Sequence, residues 1–159
     1  MHEPRKGSVY YKRSRFLTHL PEGRLYTQSH YWLLEVDSGV WRTGMTKFAS
    51  RMLGDIVEFS FGVIGGAAVQ IGQPIGWMEG FKATSDLYCV AAGEFVRTNP
   101  ALDADITLLD TEPYGGGWLY EVRGAPEPQA VDVNGYVAIL DATIDRMLSS
   151  RHGQMEADV

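Results

Sequence analysis

The chain predicts a mainly β, single-domain fold, a small barrel or sandwich, on three observations. Short apolar segments spaced like strands alternate with turn-forming residues along most of its length. Eighteen glycines in 159 residues provide for many tight turns between such strands. Helical spacing is confined to a short stretch near residue 50 and a longer one near the C-terminus.

Taken in order, residues 1–24 read as an irregular basic extension, with Phe16, Leu17 and Leu20 as anchors before Pro21 and Gly23 break regular structure. Tyr31 to Val36 and Val40 to Gly44 read as a hairpin about the turn Asp37-Ser38-Gly39. Thr46 can N-cap a helix ending at Leu53, with Phe48, Ala49, Met52 and Leu53 on its apolar side. Gly54 can close that helix in a left-handed conformation. Ile56 to Phe61 alternates as a strand. Ile75 to Phe81 and Leu87 to Val90 form a second hairpin, followed by strands at Gly93 to Thr98 and Trp118 to Val122. Residues 124–131 read as a Pro-rich connector. Beyond it Tyr136, Val137, Ile139, Leu140, Ile144, Met147 and Leu148 recur at helical spacing, with Asn134 as the expected cap. The domain division expected is a basic extension over 1–24, a main domain over 25–123, a connector and helix over 124–150, and a frayed tail over 151–159.

Composition narrows the function. The net charge of −6 argues against nucleic acid as the main partner. It is unevenly spread: through Arg24 six basic residues (Arg5, Lys6, Lys12, Arg13, Arg15, Arg24) meet only Glu3 and Glu22, so the body is strongly acidic. We read that arm as solubilising in preference to a dedicated docking element. Cys89 is the single cysteine, so no intramolecular disulfide or CxxC redox pair exists, and its apolar strand marks it as a small buried hydrophobe. The four histidines lack metal-ligand spacing, and no phosphate-binding or dinucleotide fingerprint is present. No metal is expected. No segment is apolar enough to span a membrane or direct secretion, so a cytoplasmic monomer is expected. No residue set combines a nucleophile, a base and an orienting partner, so the chain reads as a non-catalytic component.

The informative residue is Lys82. Lysine occurs only at positions 6, 12, 47 and 82, and Lys82 falls at the tip of the second hairpin. Gly80 can supply a positive φ there, and Ala83, Thr84 and Ser85 are too small to shield the amine. Glu79 and Asp86 flank it as acidic landmarks for a modifying enzyme.

EGFKATSDLY (Glu79 to Tyr88) resembles the lipoyl-lysine hairpin of the glycine cleavage system H-protein family, whose usual form is ESVKAxSDLY. Gly80 and Phe81 depart from the serine and valine. Tyr26 to Leu33 resembles the family's YTxSHEWL, Gly44 to Ala49 with Leu53 to Val57 resembles GITxxA…LGDIV, and Pro113 to Leu119 resembles PYGxGWL, all in the family's order. The resemblance implies a lipoyl/biotinyl-type barrel-sandwich hybrid fold. It implies lipoate amide-linked to Lys82, with Glu79, Gly80 and Asp86 recognised by a lipoate ligase or lipoyltransferase. Biotin carriers place methionine on both sides of the lysine, and here the neighbours are Phe81 and Ala83. A surface cleft for the loaded arm is implied at Ser29, His30, Tyr31 and Asp86. The glutamate of the family's HEW is Tyr31 here, which cannot pair with an ammonium as a carboxylate does.

That departure, with Gly80-Phe81 and the basic extension, is similar to the lipoate-binding proteins of the bacterial sulfur-oxidising system, whose partner is a heterodisulfide-reductase-like complex. The sequence reading narrowly favours that branch. Its alternatives are a glycine cleavage H protein served by the P, T and L proteins, and an unlipoylated interaction module.

Overall fold

The computed structural model describes residues 7–157. A six-stranded sheet has the order β3-β4-β5-β11-β10-β7, built from β3 (Leu25–Tyr26), β4 (Tyr31–Asp37), β5 (Val40–Met45), β7 (Ala68–Val69), β10 (Ala91–Thr98) and β11 (Tyr120–Pro126). A three-stranded sheet, β6-β8-β9, comprises β6 (Ile56–Phe61), β8 (Pro74–Gly80) and β9 (Thr84–Tyr88). All pairings are antiparallel. The sheets bury one core, including Leu33, Ile75, Met78, Leu87, Phe95, Leu119, Tyr120 and Val122. Cys89 lies in it fully buried, its thiol pushed up by burial and donating to the Ala91 carbonyl at 3.0 Å. The architecture is the expected barrel-sandwich hybrid.

Two expectations about the ends are corrected. Residues 8–21 are not irregular: β1 (Ser8–Arg13) and β2 (Phe16–Pro21) form an antiparallel hairpin. Along β2 the side chains alternate, with Phe16, Thr18 and Leu20 buried and Leu17 turned outward at 46% exposure, so Leu17 is no anchor. Arg5 and Lys6 lie outside the described residues. At the other end, helix α4 (Val133–Ala157) continues through most of the expected tail, and residues 158–159 lie outside the described residues. The hairpin and helix close a second core with α1 (Lys47–Leu53), in which Tyr11, Phe16, Leu20, Trp32, Phe48, Tyr136, Leu140 and Ile144 are buried. Polar contacts pin its edge: Tyr11 Oη donates to Asp141 at 2.8 Å, and Arg13 donates to both Asp145 oxygens at 2.9 Å. Residues 8–21 of the extension are therefore packed structure and not a solubilising arm.

Smaller differences have local causes. β11 runs to Pro126, so the connector begins later than composition suggests. Two single-turn helices, α2 (Ala101–Ala104) and α3 (Leu108–Thr111), occupy the stretch before Pro113. On α1 Ser50 is buried in place of Met52, which is 41% exposed, because Ser50 Oγ faces Asp110 on α3. The cap of α4 is Asp132, not Asn134: its carboxylate accepts from Gly135 N at 2.9 Å. Asp132→Ala is expected to destabilise the protein by about 1 kcal/mol, read as a lower urea midpoint at unchanged slope.

Candidate lysine tip and arm cleft

Lys82 stands in the turn between β8 and β9, which Gly80 N closes by donating to the Ala83 carbonyl at 2.9 Å. The tip is fastened by its backbone. Lys82 N and Ala83 N both donate to the Leu53 carbonyl, at 2.9 and 3.3 Å, and Phe81 N donates to the Asp55 carbonyl at 3.1 Å. Leu53 ends α1, where carbonyls lack helical partners, so the hairpin satisfies groups the helix leaves open. The side chains remain free of this clamp. Phe81 is 80% exposed, Lys82 is exposed, and among the described residues Lys82 Nζ reaches only the Arg51 carbonyl, at 3.5 Å.

Two glycines allow the approach. Gly54 has a φ of +75° but a ψ of −176°, so it closes α1 in an extended, positive-φ conformation and not the left-handed one expected, and a Cβ there would lie 3.0 Å from Lys82 Cγ. Gly80 does not take a positive φ. Its role is space: a Cβ would overlap the Leu53 carbonyl oxygen and lie 2.7 Å from its carbon. Glu79 pairs with Thr84 and Asp86 with Trp77, which puts both acids on one exposed face of the hairpin, flanking the lysine.

Ser29, His30, Tyr31 and Asp86 come together around one cleft of about 160 Å³, floored by Met45, Leu53 and Leu87. Their states differ from what their names suggest. Tyr31 is 5% exposed, its hydroxyl accepts from Tyr88 N at 3.0 Å, and burial pushes its pKa up to about 12. Ser29 Oγ lies 2.9 Å from Thr27 Oγ1. His30, at φ +69°, places Nδ1 2.8 Å from Tyr136 Oη, which in turn is 2.7 Å from Thr46 Oγ1. Burial lowers the His30 pKa to about 4, so the ring is neutral at physiological pH. Asp86 is the one acidic residue lining the cleft among the described residues.

His30 should also make stability depend on pH. Its pKa falls from 6.5 to about 4 on folding, so between those values the unfolded chain binds more protons. The contribution is complete above about pH 6.5 and is lost as pH falls through about 4, amounting to on the order of 2–3 kcal/mol. Asparagine tolerates the positive φ. Urea melts should therefore show the gap between the protein and His30→Asn closing as pH drops from about 7 to about 4.5.

Among the described residues no His, Cys, Asp and Glu cluster could hold a metal, and no helix is long and apolar enough to cross a membrane. The sequence and the fold match a family already characterised. The glycine cleavage H-protein model matches residues 24–137. The chain is 36% identical over 120 residues to the glycine cleavage system H protein of Beutenbergia cavernae, covering 76% of this chain and 95% of that one. It is 32% identical over 128 residues to the Escherichia coli H protein, covering 79% and 98%. The crystal structure of the Mycobacterium marinum H protein superposes with a TM-score of 0.67 at 32% identity, covering 75% of this chain and 97% of that one.

The chain belongs to the glycine cleavage H-protein family.

It is accordingly a non-catalytic carrier whose cofactor is a covalently attached lipoate. These relatives carry the glycine cleavage name, which corrects the preference for the sulfur-oxidation branch. That preference leaned on Tyr31, on Gly80-Phe81 and on the basic extension, and local features account for Tyr31 and Gly80. Tyr31 spends its hydroxyl on the β9 backbone, and Gly80 answers to the Leu53 carbonyl. The supports missed in the sequence are Leu53, Gly54 and Arg51, which underlie the tip. The LGD block signalled only a helix end, and nothing local tells that its carbonyls meet residues some 30 positions away.

Proposed function

We propose that this protein is the cytoplasmic lipoyl carrier of a glycine cleavage system, with lipoate amide-linked to Lys82. The observation that carries this is an exposed amine on a tip whose backbone is fastened to α1 while its side chain is not. A carrier needs that combination, because the arm must travel between enzymes while its root stays in a recognisable place. The residues present fit the group: Gly54 leaves room for the lysine stem, and Glu79 and Asp86 mark the tip for a lipoate ligase or lipoyltransferase. When bound, lipoate supplies the dithiol that a chain with one buried cysteine cannot.

The cleft serves the loaded arm. Its apolar floor suits a hydrocarbon chain, and Asp86 offers the carboxylate that an aminomethyl group needs, in place of the family glutamate that is Tyr31 here. The partners follow as the glycine cleavage P, T and L proteins. The test is reconstitution: lipoylated protein with the P protein and glycine should gain the aminomethyl mass on the Lys82 peptide and lose it to the T protein. Lipoylation at Lys82 without glycine-dependent loading would overturn the pathway, and a Lys82 refused by every lipoate ligase would overturn the carrier reading.

A further inference from the structure

Lys82 also borders a larger groove of about 540 Å³ that the cleft does not include. One wall is the β1–β2 turn at Arg13 to Phe16, and another is the α4 segment from Ile144 to Arg151. Both walls lie outside residues 24–137, the span matched by the family model. Met52 lines both groove and cleft and forms the ridge between them.

The groove has a definite chemistry. Phe16, Phe48 and Ile144 make its floor and are buried, whereas Met52 and Met147 stand 41% and 43% exposed along it. Arg13, Arg15, Arg51 and Arg151 also line it, and among the described residues no acidic one does. Arg13 is engaged by Asp141 and Asp145. No ion pair among the described residues engages the other three. An apolar floor beside guanidinium groups of which three have no acidic partner among the described residues suits an occupant with a hydrocarbon body and an anionic end. The cleft has the opposite sign, with Asp86 as its acid.

We propose that this groove is a second seat for the tip of the arm borne by Lys82, selective for a tip that carries an anionic group. The inference rests on the carrier reading and extends it: the two seats sort the arm by the charge of its cargo, cationic to the Asp86 cleft and anionic to the arginine groove. The groove's position beside the arm's root and its charge both favour this occupant.

The test uses the full-length protein, ¹⁵N-labelled and lipoylated, with the adduct first verified by intact mass. The reduced arm is capped with iodoacetate, leaving carboxylates, or with iodoacetamide, leaving neutral amides of nearly the same shape. Lys82→Arg protein treated identically controls for Cys89. The expected result is amide shift changes at Ser14 to Phe16 and Ile144 to Leu148 with the carboxylate cap only. They should shrink with added salt and vanish in Arg15→Glu/Arg151→Glu, a pair of exposed sites at which replacement is expected to leave lipoylation and thermal midpoint unchanged, both measured on the variant first. Shifts confined to Ser29 to Tyr31, equal shifts from both caps, or none would overturn the proposal. So would a groove perturbed only by an added acidic peptide, which would assign it to a partner protein. Absence of the adduct in the starting material would fail the carrier reading itself, and is seen before any capping.

Discussion

Lys82→Arg protein, coexpressed with a lipoate ligase, should fold normally and carry no lipoyl adduct. The side chain is exposed and its amine makes one long contact, 3.5 Å to the Arg51 carbonyl, so little folded-state energy depends on it. Arginine keeps the charge and the length but offers no amine that can be deprotonated for amide formation. Stability should stay within about 0.5 kcal/mol of the parent, as for other surface positions away from special features. Modification should fall below detection. Intact mass and a urea melt on the same sample check both halves. A surviving adduct would relocate the site to another lysine. Lys47 is a poor substitute, because its Nζ donates to the Asp110 carbonyl at 2.8 Å and is part-buried, whereas Lys12 is exposed on β1.

Gly80→Ser installs the residue the family motif carries and should nonetheless destabilise this protein. The new Cβ would overlap the Leu53 carbonyl oxygen and lie 2.7 Å from the carbonyl carbon, and both atoms are backbone that cannot swing aside. Relief requires the hairpin tip to lift from the end of α1, stretching the bonds from Lys82 N and Ala83 N to that carbonyl. Overpacking of this kind costs about 1–3 kcal/mol. Because the displaced segment is the one that presents Lys82, the rate of lipoylation should drop together with the urea midpoint. Phe81→Val, the other reversion toward the family motif, is the contrast: Phe81 is 80% exposed, and its replacement should leave stability within about 0.5 kcal/mol. Equal effects from the two reversions would show that the Leu53 contact does not hold the tip.

Much of the site is legible in the sequence because its signals are local. The hairpin around Lys82 follows from two strand-spaced segments and small turn residues, and the N-cap of α1 follows from Thr46, whose side chain does accept from Ala49 N. The N-terminal hairpin is harder to read because its basic residues mask the period-two alternation of Phe16, Thr18 and Leu20, a signal that the sequence does contain. The α4 cap differs from expectation by two residues because Asp132 and Asn134 are both good caps, and only the position of the first turn distinguishes them.

By itself, the sequence determined the strand-rich fold, the family motifs and the one lysine offered to a modifying enzyme, since each depends on residues a few positions apart. Tertiary structure alone decided three further things. It fastened the lysine tip to α1 through carbonyls nearly thirty residues earlier in the chain, and so turned Gly80 from a turn residue into a spacer. It folded the basic extension onto α4 through Tyr11, Arg13 and Phe16. It also brought Ser29, His30, Tyr31 and Asp86 to one cleft while holding the imidazole neutral. The physical reason is common to all three. Close approach, burial and the charge state that burial imposes depend on which distant segments meet, and spacing along the chain holds no record of that distance.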